Sequence, residues 1–99
     1  YWVVNGITRS ARATRTASGY GADVWAKLRN CESHGNYQSN TGNSFYGAYQ
    51  FTASTWNSMG TGYPYAHMAP PEVQDDAALR LQQRAGWGQW PLCSKVALR

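Results

Sequence analysis

The sequence predicts a small, mainly α-helical domain with a minor α+β character. Two segments carry apolar residues at helical spacing, a third has a helix cap and a glycine stop, and the stretch between them is rich in turn formers. The 99 residues are enough for one domain. No apolar run approaches the roughly 18–20 residues of a membrane span, and the 14% aromatic content is unlike that of a disordered chain. The prediction is therefore a compact globular domain without a membrane span.

The first twenty residues differ in pattern from the rest. Two short apolar runs flank Asn5-Gly6, which is typical of a β-hairpin turn. Residues 9–21 are small, polar or basic and have no apolar period, which is typical of a linker. We interpret residues 1–20 as an N-terminal arm that either packs on the domain or is the edge of an upstream module. The domain itself is expected over residues 21–99.

The first helix is predicted from about Ala22 to Ser33. Asp23 lies near its start, where a carboxylate is favourable, and Gly35 ends it. Glu32 comes seven residues after Trp25 and so shares its side of the helix. The apolar stripe consists of Val24, Leu28 and Cys31.

A turn-rich segment over residues 36–51 is expected to form a loop or a cramped hairpin. A short helix follows from about Ala53 to Met59, with Thr52 or Ser54 as its cap and Gly60 as its stop.

The last predicted helix begins at Pro71 and stops at Gly86. Acidic residues lie in its first turns and Arg80 and Arg84 in its last, which suits the helix dipole. Its expected buried stripe consists of Val73, Ala77, Leu81 and Ala85.

The net charge of +4 is concentrated in the arm. Three arginines lie in the first twenty residues, and residues 21–99 carry six basic against five acidic residues. An anion- or nucleic-acid-binding role for the arm is one alternative. Residues 33–71 contain no Asp, Glu, Lys or Arg but hold eight of the 14 aromatic residues. Neutral polar groups among aromatic faces suit a sugar chain, and the alternative is a polar loop region with its own aromatic core.

The two cysteines, Cys31 and Cys93, allow three interpretations. A disulfide would close about sixty residues and stabilise the domain by roughly 4 kcal/mol, which implies an oxidising compartment. A metal site with His34 and His67 matches no common zinc spacing. Two unpaired buried thiols are the third possibility.

Glu32 is the candidate acid. A carboxyl beside a Trp and Leu face is partly desolvated, which raises its pKa and suits it to protonate a glycosidic oxygen. The alternative is an exposed glutamate at a helix end, which is the usual environment of this residue type.

The surrounding motifs resemble a known family. Glu32-Ser33-x-Gly35 is followed by Gly47-Ala48-x-Gln50-Phe51 and Ser54-Thr55-Trp56, an order similar to that of lysozyme-like transglycosylases. The nearer resemblance is to the catalytic domain of the actinobacterial resuscitation-promoting factors. It covers residues 23–94 and includes residues 40–43 and Gly86-Trp87-Gly88-x-Trp90-Pro91-Leu92-Cys93.

The resemblance implies a compact lysozyme-like catalytic domain over residues 21–99. It implies a secreted or cell-wall-associated enzyme that cleaves the β-1,4 bond between N-acetylmuramic acid and N-acetylglucosamine in peptidoglycan. Glu32 maps onto the catalytic acid, and Cys31 and Cys93 map onto the family's disulfide. Gln50, Thr55 and Trp56 map onto the cleft wall that contacts the glycan, and Asn40, Thr41 and Tyr46 map onto the loop that faces it. Tyr49 is bulkier than the residue usual in the family and is expected to narrow or line the cleft.

The expected partners are glycan strands and another cell-wall hydrolase, with no nucleic acid, no metal and no cofactor, and the domain is expected to be a monomer. Trp87 and Trp90 are expected in the core.

No second catalytic carboxylate is evident near Glu32, because the next acid is Glu72 on another helix. We expect Glu32 to act first as acid and then as base, with the substrate's N-acetyl or 6-hydroxyl group as nucleophile. Hydrolysis through a bound water is one alternative. A non-catalytic glycan-binding module is the other.

Overall fold

The computed structural model describes residues 21–99, so the interpretation of residues 1–20 as an arm with a hairpin lies outside the described residues. The described part is mainly helical, which confirms the predicted fold class. Its helices are α1 (Ala22–Ser33), α2 (Ala53–Ser58), α3 (Pro71–Ala85) and α4 (Cys93–Ala97), with 3₁₀ turns at Ala66–Met68 and Gly86–Gln89.

The three predicted helices form close to their expected bounds. Thr52 caps α2, since its hydroxyl oxygen accepts a hydrogen bond from the Thr55 backbone N–H at 3.2 Å. On α3, Ala77 and Leu81 are buried as expected, but Ala85 is exposed because it is the last helical residue before the chain turns at Gly86. Gln74 is buried in addition.

Between α1 and α2 the chain forms the cramped hairpin that was one of the two expected forms. Tyr46 makes isolated antiparallel bridges with Asn40 on one side and with Phe51 on the other. We refer to residues 40–45 as the outer loop and to residues 46–51 as the inner turn.

The core is built around aromatic rings. The ring centroid of Trp25 lies 5.0 Å from that of Trp87 and 6.3 Å from that of Trp90. Trp90 is buried and Trp87 packs partly buried against the core, as predicted for both. The indole N–H of Trp90 donates to the Tyr49 carbonyl at 3.0 Å, so the C-terminal segment is also attached to the inner turn.

A disulfide joins Cys31, in the last turn of α1, to Cys93, the first residue of α4, with the two Cα atoms 5.6 Å apart. This confirms the disulfide and excludes both free thiols and a zinc site that uses these sulfurs. The bond spans 62 residues of sequence. Chain entropy alone gives a loop of this length a stabilisation of about 4 kcal/mol.

None of the helices formed by residues 21–99 has the length and apolar character needed to cross a membrane.

Candidate active site

The last turn of α1 carries Glu32 and is held at a fixed position. The helix is closed by backbone bonds from His34 to the Asn30 carbonyl at 3.0 Å and from Gly35 to the Arg29 carbonyl at 3.1 Å. The hydroxyl of Ser33 donates to the Ala48 carbonyl at 2.8 Å. The residue next to Glu32 is therefore tied directly to the inner turn.

The Glu32 carboxyl is half-buried and has no hydrogen-bond or ion-pair partner among residues 21–99. Desolvation by burial raises its pKa, in the direction expected from the sequence. A carboxyl with a raised pKa and no partner keeps its proton to higher pH than an exposed one. Such a group is chemically suited to donate a proton to a bound oxygen.

The side chain of Gln74 in α3 holds the inner turn in place through hydrogen bonds. Its carbonyl oxygen accepts from the Ala48 N–H at 2.9 Å. Its amide group donates to the carbonyls of Tyr37 and Ala69, both at 2.9 Å. Three loop segments are therefore fastened to one fully buried side chain.

Gln50 connects the inner turn to the segment before it. Its side-chain amide donates to the Ser39 hydroxyl at 3.2 Å and to the Gly47 carbonyl at 3.1 Å. Its backbone has φ +55°, a left-handed conformation that costs about 1–2 kcal/mol for a residue other than glycine. The side chain is partly exposed, so it is held in place while still reaching the surface.

Two of the predicted glycan contacts lie in the core, and the expectation for them is corrected. Tyr49 is 1% exposed, because its ring packs against Trp25, Phe51 and Trp90. Trp56 is 0% exposed, and its indole N–H donates a hydrogen bond to the Tyr63 carbonyl at 2.8 Å. Neither side chain presents a face to a ligand, so for both of them the core interpretation is the correct one.

Asn40 and Thr41 are exposed on the outer loop, and Tyr46 is partly exposed beside them. The side-chain amide of Asn40 lies 3.4 Å from Nε2 of His67. The ring of Tyr46 stacks on His67 at 5.4 Å between centroids and packs against Tyr65 at 4.8 Å. Loop 63–67 therefore joins the surface made by Asn40 and Tyr46.

Thr55 is partly exposed on α2, and its backbone N–H donates a hydrogen bond to the hydroxyl oxygen of Thr52, the helix cap.

A groove of about 560 Å³ is lined by residues 35–38, Tyr63 and residues 67–71. None of the predicted site residues lines it. Residues 35–38 begin three positions after Glu32 in the chain, and the other lining residues are Tyr63 and the segment that begins at His67. The sequence signal for this surface was the high density of aromatic residues in residues 33–71. Residue type alone could not predict which of these aromatic residues would line the groove.

The other carboxylates of the described part are engaged elsewhere or distant in the chain. Asp23 pairs with Lys27, and Asp76 pairs with Arg80. Asp75 accepts hydrogen bonds from two tyrosines. Glu72 is exposed in the first turn of α3. Within residues 21–99, no three His, Cys, Asp or Glu side chains are grouped so as to hold a metal ion.

Residues 20–93 match the family model of the transglycosylase-like domain. The resuscitation-promoting factor Rpf of Micrococcus luteus is 42% identical over 97 residues, which cover 94% of this chain and 43% of the relative. Rpf1 of Corynebacterium glutamicum is 46% identical over 72 residues, or 71% of this chain and 37% of the relative. RpfA of Mycobacterium tuberculosis is 39% identical over 92 residues, or 91% and 22%.

The chain spans less than half the length of each of these relatives. The alignment with the Micrococcus protein covers more of the chain than residues 21–99 alone, so it extends into the N-terminal segment. The chain belongs to the transglycosylase-like domain family, and within it is similar to the catalytic domains of the resuscitation-promoting factors.

Proposed function

We propose that this chain is a secreted or cell-wall-associated muralytic domain. It cleaves the β-1,4 bond between N-acetylmuramic acid and N-acetylglucosamine in peptidoglycan, with residues 21–99 as the lysozyme-like catalytic domain. The observation that carries the proposal is the half-buried, unpaired Glu32 carboxyl at the anchored end of α1. Membership of the transglycosylase-like family supports it.

In the proposed reaction, protonated Glu32 donates its proton to the glycosidic oxygen as the C1–O bond of the muramic acid residue breaks. The electron pair of that bond leaves with the departing sugar. The Glu32 carboxylate then accepts a proton from the 6-hydroxyl of the muramic acid residue, whose oxygen bonds to C1 and closes a 1,6-anhydro ring. One carboxyl thus acts as acid and base in turn, and no second carboxylate is required.

Partly exposed Tyr46, Gln50 and Thr55 and exposed Asn40 and Thr41 are the proposed glycan contacts. They are neutral, as is the glycan backbone, so recognition would rest on hydrogen bonds and ring stacking rather than on ion pairs. Glycan strands are the proposed partner. We further propose that the domain acts as a monomer and cooperates with another cell-wall hydrolase.

The test is release of soluble fragments from purified peptidoglycan by the wild-type chain and by Glu32→Gln. We expect a loss of at least about 100-fold, because general acid catalysis contributes roughly 10²–10⁴ in rate. Glu72→Gln is the matched control, since that carboxyl is exposed in the first turn of α3, and it should retain activity. Full turnover by Glu32→Gln would refute the proposed role of Glu32.

Two further readings come from the same samples. Mass spectrometry of the products distinguishes the mechanisms: 1,6-anhydro ends support the transglycosylase reaction, and only reducing ends would replace it with hydrolysis through water. Sedimentation with insoluble peptidoglycan measures binding. A wild-type chain that binds but releases nothing would be a glycan-binding module and not an enzyme.

A further inference from the structure

Arg29 and Glu32 are separated by three positions on α1. At that spacing two side chains on a helix are neighbours, with Cβ atoms about 5–6 Å apart, and opposite charges commonly form an ion pair. Here they do not. Nη1 of Arg29 donates to the Tyr49 hydroxyl at 2.8 Å and lies 3.7 Å from Oδ1 of Asp75. The two charged groups of the same helix therefore have different environments.

The arginine is held by a connected set of groups. Asp75 of α3 accepts from the Tyr49 hydroxyl at 2.6 Å and from the Tyr37 hydroxyl at 2.7 Å, both through Oδ1. Tyr49 thus accepts from Arg29 and donates to Asp75. Burial raises the pKa of both tyrosines, so their hydroxyls remain proton donors at neutral pH. The guanidinium also lies 5.7 Å from the centroid of the Tyr49 ring.

Resting on the proposed role of Glu32 as an acid, we propose that Asp75, acting with Tyr49, is a positioning residue for Arg29. It holds the guanidinium away from Glu32 and so leaves that carboxyl without an ion pair. Without this anchor the flexible arginine side chain can turn towards Glu32, one helical turn along. The expected consequence is a more acidic Glu32, which loses its proton at lower pH.

Other charges near α1 leave Glu32 unpaired as well. Lys27 of the same helix pairs with Asp23 at 3.7 Å. Lys95 is the charged residue of α4, which packs along α1, and the inner turn contributes Tyr46 and Tyr49. Among the described residues none of these forms an ion pair with Glu32, and desolvation is the cause of its raised pKa. Arg29 is therefore the cation whose release would change that pKa most directly.

The experiment is an NMR titration of the Glu32 side-chain carboxyl in the full chain. In Asp75→Asn we expect the pKa of Glu32 to fall by about half a unit or more, since a nearby opposite charge lowers a carboxyl pKa. In the double variant Asp75→Asn/Arg29→Gln the pKa should return to the wild-type value. An unchanged pKa in Asp75→Asn would overturn the proposal. So would a double variant that stays low, because the shift would then not come from Arg29.

Asp76→Asn is the matched control. It removes the same charge one residue along α3, where the partner is Arg80 at 2.9 Å, and it should leave the pKa of Glu32 unchanged. An equal fall in this control would show a general charge effect and would also overturn the proposal. If Asp75→Asn folds poorly, Tyr49→Phe decides the question. It removes only the linking hydroxyl, so a smaller fall supports the proposal and no fall refutes it.

The titration needs no turnover, which separates this proposal from the proposed function. For an active enzyme, the alkaline limb of the kcat/KM profile should move to lower pH by the same amount in Asp75→Asn and should recover in the double variant. A variant that was merely less stable would lower the rate at all pH values without moving that limb.

Discussion

The outer loop and the inner turn are consecutive in the chain, and both combine aromatic, amide, hydroxyl and glycine residues, with Ala48 in addition in the inner turn. Every residue of the outer loop is exposed, whereas four of the six in the inner turn are buried. The difference comes from partners distant in sequence. Gln74, Ser33 and Trp90 each hydrogen-bond a backbone group of the inner turn. A polar turn can be buried when other elements satisfy its backbone, whereas none of these three residues forms a hydrogen bond with the neighbouring outer loop.

The most damaging substitution should be Gln74→Leu, which removes the anchor of the inner turn. It leaves the Ala48 N–H and the carbonyls of Tyr37 and Ala69 without their partner in the interior. We expect the free energy of unfolding to fall by at least about 3 kcal/mol, at about 1–3 kcal/mol for each buried unsatisfied group. Urea unfolding with the disulfide intact measures it. Gln83→Leu on the exposed face of α3 is the control and should change stability by less than about 0.5 kcal/mol. A loss below 1 kcal/mol for Gln74→Leu would show that the inner turn does not depend on this anchor.

The two segments can be compared directly with one substitution in each. A Cβ at Gly47, which has φ +77°, would lie 2.5 Å from the Gln74 side-chain oxygen, whereas a Cβ at Gly42, with φ +84°, meets nothing within 4 Å. Gly42→Ala should therefore cost only the backbone strain of about 1–2 kcal/mol, and Gly47→Ala should cost roughly 1–3 kcal/mol more. Thermal and urea unfolding give both values. Equal losses would contradict the difference in packing between the two segments.

Glu32 adjoins Ser33, which is hydrogen-bonded to the inner turn. A substitution of Glu32 therefore tests whether partial burial of this carboxyl costs folding free energy. A raised pKa means that the folded state disfavours the carboxylate, so Glu32 destabilises the fold once pH exceeds its unfolded value near 4.5. Glu32→Gln removes that cost and should stabilise the domain at pH 8, by less than about 1 kcal/mol because the group is half-exposed and screened. The gain should vanish below pH 4. A lower melting temperature than wild type at pH 8 would contradict this reading.

The smallest change in stability is expected in the outer loop. Asn40 is exposed, and among the described residues its side chain is hydrogen-bonded only to His67, so Asn40→Ala should alter the free energy of unfolding by less than about 0.5 kcal/mol. Its effect should instead appear as a two- to tenfold loss of peptidoglycan turnover, about the value of one hydrogen bond. Unchanged turnover would remove Asn40 from the proposed glycan surface.

The helices could be predicted because their signals are local. Thr52, Pro71 and Gly86 mark helix ends through their own chemistry, and the stripe containing Leu28 and the one containing Leu81 follow from helical spacing. Helix α4 was not predicted, since five residues without a cap give no periodic signal. The disulfide needed the family resemblance, because spacing alone left three interpretations of Cys31 and Cys93 open.

Only some of the candidate site residues could be predicted correctly from the sequence. Glu32 could be singled out because it begins the Glu32-Ser33-x-Gly35 motif and shares a side of the helix with Trp25, and the structure gives the expected direction for its pKa. Tyr49 and Trp56 were misplaced, since an aromatic ring in a polar segment has the same composition whether it faces solvent or the core. The partners of Arg29 lie 20 and 46 positions further along the chain. No local pattern predicts such contacts, because they depend on where the fold places the inner turn and Asp75 relative to α1.

The disulfide makes residues 31–93 a closed covalent ring. Glu32, the outer loop, the inner turn and α2 all lie within this ring. A single proteolytic cut at the exposed outer loop therefore leaves two fragments that remain joined through sulfur, and a gel would separate them only after reduction. For a domain proposed to work outside the cell among proteases, this architecture allows the backbone to be nicked without release of either half.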